Sequence, residues 1–106
     1  MAFKVNFETQ CKVAGLPEPQ REVLVVPSRK WRWDFAWLSP YCVGVEVQGG
    51  GHVRGKHHRH RGYEEDCEKH NEAILNNWLV LVVTPEMVAD GRALAWAERA
   101  LRFRGW

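Results

Sequence analysis

Two acidic residues, Asp34 and Glu46, fall where a β-hairpin would bring their carboxylates opposite each other. The run Trp31-Arg32-Trp33-Asp34-Phe35-Ala36-Trp37 alternates aromatic and other residues with period two, the pattern of a strand with one buried face, and this points Asp34 away from the aromatic side. Val43-Gly44-Val45-Glu46-Val47-Gln48 alternates likewise and leaves Glu46 and Gln48 opposite the valines. A tight turn centred on Pro40, within Ser39-Pro40-Tyr41, pairs the two strands antiparallel with Asp34 across from Glu46. Like charges about 5 Å apart across a strand pair repel. A divalent cation that prefers hard oxygen ligands, Mg²⁺ or Mn²⁺, would neutralise them. The competing reading pairs one acid with Arg32 or Lys30 on a solvated sheet face.

The elements that must position these acids follow from the flanking sequence. A helix is expected from about Asn6 to Ala14, stopped by Gly15 and kept from continuing by Pro17 and Pro19. Glu22–Val26 reads as a strand ended by Pro27-Ser28, and with Trp31–Trp37 and Val43–Gln48 it makes a three-stranded meander. From Gly49 to Gly62 no hydrophobic period is present, which predicts a loop. A helix follows from Tyr63 to about Asn76, with Tyr63, Cys67, His70 and Ile74 on one stripe and Asn76-Asn77 at its end. Trp78–Val83 is an apolar run of strand length, expected to be covered on both faces. Thr84-Pro85-Glu86 is a helix start, with Thr84 as the cap, and the helix is expected to reach about Arg102 with Met87, Leu94 and Leu101 inward and Val88 and Ala95 widening that stripe. The order α-β-β-β-α-β-α predicts an α/β domain, a mixed sheet flanked by helices, in one unit over 1–106.

With 106 residues, 45% hydrophobic and 26% charged, the composition is that of a globular domain. No apolar run is long enough to span a bilayer and the N-terminus lacks an apolar signal core, so a soluble intracellular protein is expected. Cys11, Cys42 and Cys67, odd in number and widely spaced, read as reduced thiols. The net charge of +2 is small, but residues 52–62 hold Arg54, Lys56, Arg59 and Arg61 with four histidines and no acid, an anion-binding pattern. Zinc is the competing reading of His57, His58, His60, Cys67 and His70, and the absence of a paired-cysteine spacing argues against it. The aromatic residues Trp33, Phe35, Trp37 and Trp78 are expected in the core, and Trp106 at a subunit interface.

The run Arg32-Trp33-Asp34-Phe35-Ala36, the strand Val45-Glu46-Val47-Gln48-Gly49-Gly50 and the helix Asp66-Cys67-Glu68-Lys69, in this order of elements, resemble the PD-(D/E)XK nuclease superfamily. Within it the chain is most similar to small phage-encoded and archaeal-type Holliday junction resolvases, and more distantly to very-short-patch-repair-type endonucleases. The resemblance runs from the first helix to about Thr84. It implies a restriction-endonuclease-like core in which Asp34 takes the place of the first aspartate and Glu46-Val47-Gln48 that of the (D/E)-X-K triplet. Gln48 departs from the usual lysine: a neutral amide orients water or donates to phosphate but supplies no charge. Lys69 is the first candidate to supply that cation and Lys56 the second; the plain alternative for Lys69 is an exposed pair with Asp66. Many relatives use a further glutamate as a metal ligand, and Glu8 or Glu22 would serve.

What the resemblance implies about function is a Mg²⁺-dependent endonuclease, with Mn²⁺ able to substitute and no organic cofactor, that cuts four-way DNA junctions in recombination and repair. Asp34, Glu46 and the carbonyl of Val47 would hold the ion, which supplies an activated water and stabilises charge at phosphorus. Gln48 and Lys69 would complete the catalytic set, and no covalent intermediate is expected. Arg29, Lys30, Arg32 and the basic segment would clamp the DNA backbone. A homodimer is implied, matching the two-fold symmetry of a junction; if the chain is phage-encoded, its compartment is the host cytoplasm. Two other functions compete: a nicking endonuclease on mismatched or damaged duplex, and a catalytically silent nucleic-acid-binding module, which Gln48 favours.

Overall fold

The computed structural model describes the backbone of residues 2–49 and 55–106 and the side chains of 7–49 and 62–106. Helix α1 (Ala2–Ala14) leads into strands β1 (Gln20–Leu24), β2 (Arg32–Trp37) and β3 (Val43–Val47), then α2 (Gly55–Leu75), β4 (Leu79–Val83), α3 (Pro85–Ala89) and α4 (Arg92–Phe103). The four strands form one mixed sheet in the order β1-β2-β3-β4. The first three make an antiparallel meander and β4 runs parallel to β3, reached through the α2 crossover. The α/β class and the mixed sheet are as expected from the element order.

Local chemistry explains the boundaries. Gly15 takes a φ of +80° just past α1, and the amide of Leu16 bonds back to the carbonyl of Cys11 at 3.0 Å, closing the helix end. Asn77, with a φ of +74°, does the same work after α2. The hydroxyl of Thr84 accepts from the amide of Met87 at 3.2 Å, with Pro85 opening α3. The helix expected to run from there to about Arg102 is instead two helices. Gly91, at a φ of +91°, breaks it, and Asp90 caps the restart by accepting from the amide of Arg92 at 3.0 Å. The inward stripe of α4 is accordingly Ala93, Ala97, Ala100 and Leu101, with Leu94 partly buried and Ala95 exposed.

The sheet separates two cores. On one face Phe7, Cys11, Phe35, Trp37, Val43, Val45, Val83, Val88 and the α4 stripe pack together. Burial, and then Glu8, push the Cys11 thiol up to about 12, so it is an uncharged packing group. On the other face Val25, Val26, Trp33, Ala36 and Ala73 pack beneath α2. Trp33 therefore lies on the opposite side of the sheet from Phe35 and Trp37, although simple alternation places all three on one side. The strands turn over between these residues. Glu22, with a φ of +55°, marks the same switch in β1, where Arg21 reaches Glu8 of α1 at 3.8 Å while Val23 joins the α2 side.

Trp33 is fully buried and its indole lies flat against Gly44 of β3. A Cβ at position 44 would overlap the ring and sit 2.6 Å from Nε1. Gly44→Ala is expected to destabilise the fold by about 1–3 kcal/mol through overpacking, a fall of roughly 4–8 °C in Tm per kcal/mol for a domain of this size. Thermal or urea melts check it; an unchanged Tm would mean that the indole has room to move.

Three further expectations are corrected. The segment from Gly55 to Gly62 belongs to α2 and is not a loop; residues 50–54 lie outside the described residues. A missing hydrophobic period shows only that a segment lacks a core-facing stripe. Histidine, lysine and arginine are adequate helix formers, and well-formed turns beyond Tyr63 let the helix extend backwards. The inward face of α2 is Asp66, Lys69, His70 and Ala73, whereas Tyr63, Cys67 and Ile74 are exposed. Finally, β4 is an edge strand, and Val82 is 39% exposed rather than covered on both faces.

Candidate active site

The β2–β3 hairpin has the register that sets Asp34 across from Glu46: Trp37 pairs with Val43, Ala36 with Gly44 and Phe35 with Val45. The regular pairing stops there. In place of the next ladder bond, Oδ2 of Asp34 accepts from the amide of Val47 at 2.7 Å. The carboxylate thus fills the gap where the two strands part, held at the backbone beside Glu46. In an extended strand a residue's N–H and C=O point to the same side, so the carbonyl of Val47 is also directed toward the β2 side. The amide of Gln48 continues the β3–β4 pairing by donating to the carbonyl of Val83 at 2.7 Å.

Glu46 stands on the α2 side of the sheet, and α2 meets it with two side chains. Nζ of Lys69 lies 3.0 Å from Oε1 of Glu46, and Nε2 of His70 lies 3.2 Å from the same oxygen. Lys69 is 7% exposed, yet it is satisfied: Nζ also donates to the carbonyl of Arg32 at 2.9 Å, beyond the last β2–β3 pair, and sits 4.9 Å from the centre of the Trp33 ring. A buried ammonium needs this kind of charge partner and acceptor set. Lys69 and Glu46 are brought together, and Lys69 is not the exposed helical pair of the plain alternative.

Asp66, one turn before Lys69, faces the same cluster. Burial, with Glu46 and Glu65 adding repulsion, lifts its carboxyl above the ordinary value against the pull of His70 and Lys69. A carboxyl raised on folding favours the native state fully below its unfolded pKa and loses that contribution as pH rises through the raised value. Ionised Asp66 is therefore a liability near neutral pH. Asp66→Asn is expected to raise Tm at pH 7 by a few degrees and to give no gain at pH 3. Melts at both pH values check it, and the same gain at both would remove charge as the cause.

The other expected site residues are placed less closely. Glu22 sits on β1 between the pairs Arg21–Phe35 and Val23–Trp33, alongside Asp34, and its carbonyl accepts from Arg32 Nη1 at 3.2 Å. Glu8 lies on α1 in the other layer, paired with Arg21. The guanidinium of Arg29 stacks 3.7 Å over the Trp31 ring and pairs with Glu68 of α2 at 3.4 Å, and Lys30 is exposed beside it. Arg54 lies outside the described residues. So do the side chains of Lys56, Arg59 and Arg61, whose backbone is in α2, and those of His57, His58 and His60. Trp106 packs against the α1–α4 core with Arg102 stacked on its ring at 4.3 Å.

Sequence reasoning missed the part played by His70. The spacing Asp66, Lys69, His70 is the available signal, since positions three and four apart on a helix share a face. Among the described residues no group of three or more His, Cys, Asp or Glu side chains is placed to hold a metal ion. The donors present still suit a hard cation of the Mg²⁺ type, which keeps several waters and is commonly bound through one or two carboxylates plus substrate phosphate. No helix among the described residues is long and apolar enough to cross a membrane. Set against family models, curated proteins and solved structures, the chain matches none.

Proposed function

We propose that this chain is a metal-dependent DNA endonuclease that hydrolyses phosphodiesters at four-way junctions. The observation that carries the reading is the contact between Glu46 and Lys69 beside Asp34: two acids on adjoining strands, with a cation delivered from the helix where Gln48 leaves the triplet without one. The sheet order, with a meander and then a parallel strand reached through a helix, supports the nuclease-like core implied by the resemblance.

In this reading Asp34, Glu46 and the Val47 carbonyl hold a Mg²⁺ ion, which when bound supplies an activated water and charge neutralisation at the scissile phosphate. Gln48 orients the attacking water or donates to a phosphate oxygen. Lys69 keeps the site electropositive enough to admit a polyanion. Arg29 and Lys30 contact the backbone, giving recognition by shape and a steep dependence on salt. Two copies acting together would place one cut on each side of a two-fold junction.

A second reading, a silent nucleic-acid-binding module, draws on the fact that Lys69 has both its partners within the protein and is buried away from incoming substrate. The deciding experiment incubates the full chain with a labelled four-way junction and with a mismatched duplex of the same sequence, in Mg²⁺, in Mn²⁺ and in chelator. Metal-dependent cleavage of the junction in preference to the duplex supports the proposal. Preference for the mismatch moves the substrate, and binding without any cleavage leaves the silent module.

A further inference from the structure

His70 has no place in the expected catalytic set, yet it reaches the central carboxylate as closely as a catalytic partner would. Its Nε2 and the Lys69 ammonium converge on one atom, Oε1 of Glu46, at 3.2 and 3.0 Å. Both contacts fall on the same oxygen of the carboxylate. An ionised carboxylate only accepts, so a hydrogen bond here is donated by Nε2 of His70. Consecutive helical residues point about 100° apart, and the side chains of these two meet at one oxygen of Glu46.

The grip is rigid because of what lies beneath it. The imidazole of His70 stacks on Trp33, with ring centres 6.3 Å apart and planes 9° from parallel. Trp33 itself is fully buried and wedged against Gly44 and Trp78. The ring of His70 cannot tilt away without leaving that stack. A free glutamate side chain would lose rotamer freedom on capturing a cation; here that freedom is already lost on folding.

We propose that His70 is a positioning residue which, together with Lys69, pins Oε1 of Glu46 and so fixes the orientation of the carboxylate that meets the cation. The inference rests on the nuclease reading above and adds to it the residue that orients the ligand. Partners that orient a metal-binding carboxylate from behind typically contribute about 10- to 100-fold to metal affinity.

The test uses the full chain and Mn²⁺ as the probe, followed by electron paramagnetic resonance, with Tm measured for every variant. His70→Phe keeps a ring to stack on Trp33 and removes the donor; it is expected to bind Mn²⁺ about 10- to 100-fold more weakly while its Tm stays close to that of the parent. His70→Gln restores a donor without the imidazole and is expected to recover most of the lost affinity. Parent-like Mn²⁺ affinity in folded His70→Phe would overturn the positioning role alone and leave the nuclease reading standing. Should His70→Phe not fold, His70→Leu, which also removes the donor, takes its place: weaker Mn²⁺ binding in folded His70→Leu with recovery in His70→Gln supports the role, and parent-like binding in His70→Leu overturns it. A parent protein that binds no Mn²⁺ would overturn both the positioning role and the metal-dependent reading.

Discussion

On the proposed nuclease reading, Asp34→Asn is expected to lower junction cleavage by more than about 100-fold, because it would remove a direct ligand where even an outer partner is worth 10- to 100-fold. Junction affinity should change little, since binding is dominated by cationic contacts to phosphate that this substitution leaves in place. The geometry makes the experiment clean. Oδ2 of Asp34 accepts from the Val47 amide at 2.7 Å, and an asparagine oxygen still accepts there, without the charge assistance, so the parting of β2 and β3 keeps its hydrogen bond. What disappears is the negative charge that a hard cation requires. Cleavage rates at saturating Mg²⁺ and junction affinity by gel shift in chelator are the two measurements. Loss of both together would assign Asp34 to holding the hairpin, and normal cleavage would remove it from the site.

Lys69→Ala has the largest expected effect on stability. It leaves the Glu46 carboxylate, 16% exposed, without its main counter-charge, and the Arg32 carbonyl without its donor. Removing one member of a buried ion pair typically costs about 3–5 kcal/mol. The lower end applies here because His70 still reaches Glu46. The double substitution Lys69→Met with Glu46→Gln removes both charges while keeping volume, and should be less destabilised than Lys69→Ala. Urea melts of both, with Glu46→Gln alone, complete the comparison. If the double variant is the weaker protein, the two residues do not act as a pair.

The site was legible in the sequence to the extent that it depends on local rules. The turn at Pro40 and the alternation on either side of it set the β2–β3 register, so the neighbourhood of Asp34 and Glu46 could be read directly. Thr84-Pro85 and Asn77 mark element ends through their own backbone chemistry, and both do so in the structure. What could not be read depends on tertiary compensation. A search for an inward stripe on α2 looks for apolar residues, and the stripe is Asp66, Lys69 and His70, admissible only because Glu46 and the Arg32 carbonyl wait across the interface. The break at Gly91 was hidden because heptad-spaced Met87, Leu94 and Leu101 continue the pattern through it. Alternation in β2 failed because the strand turns over at Asp34, which no periodicity of side chains announces.

That turnover ties the acid to the bulk of the molecule. Trp33 is sealed in one compartment and Phe35 in the other, both without solvent contact. Position 34 is the knot between them, and shifting its backbone would drag a large aromatic ring through a packed interior. Its aim is thus inherited from two separate layers of oil, and softening either of them would blur the aim well before the chain came undone.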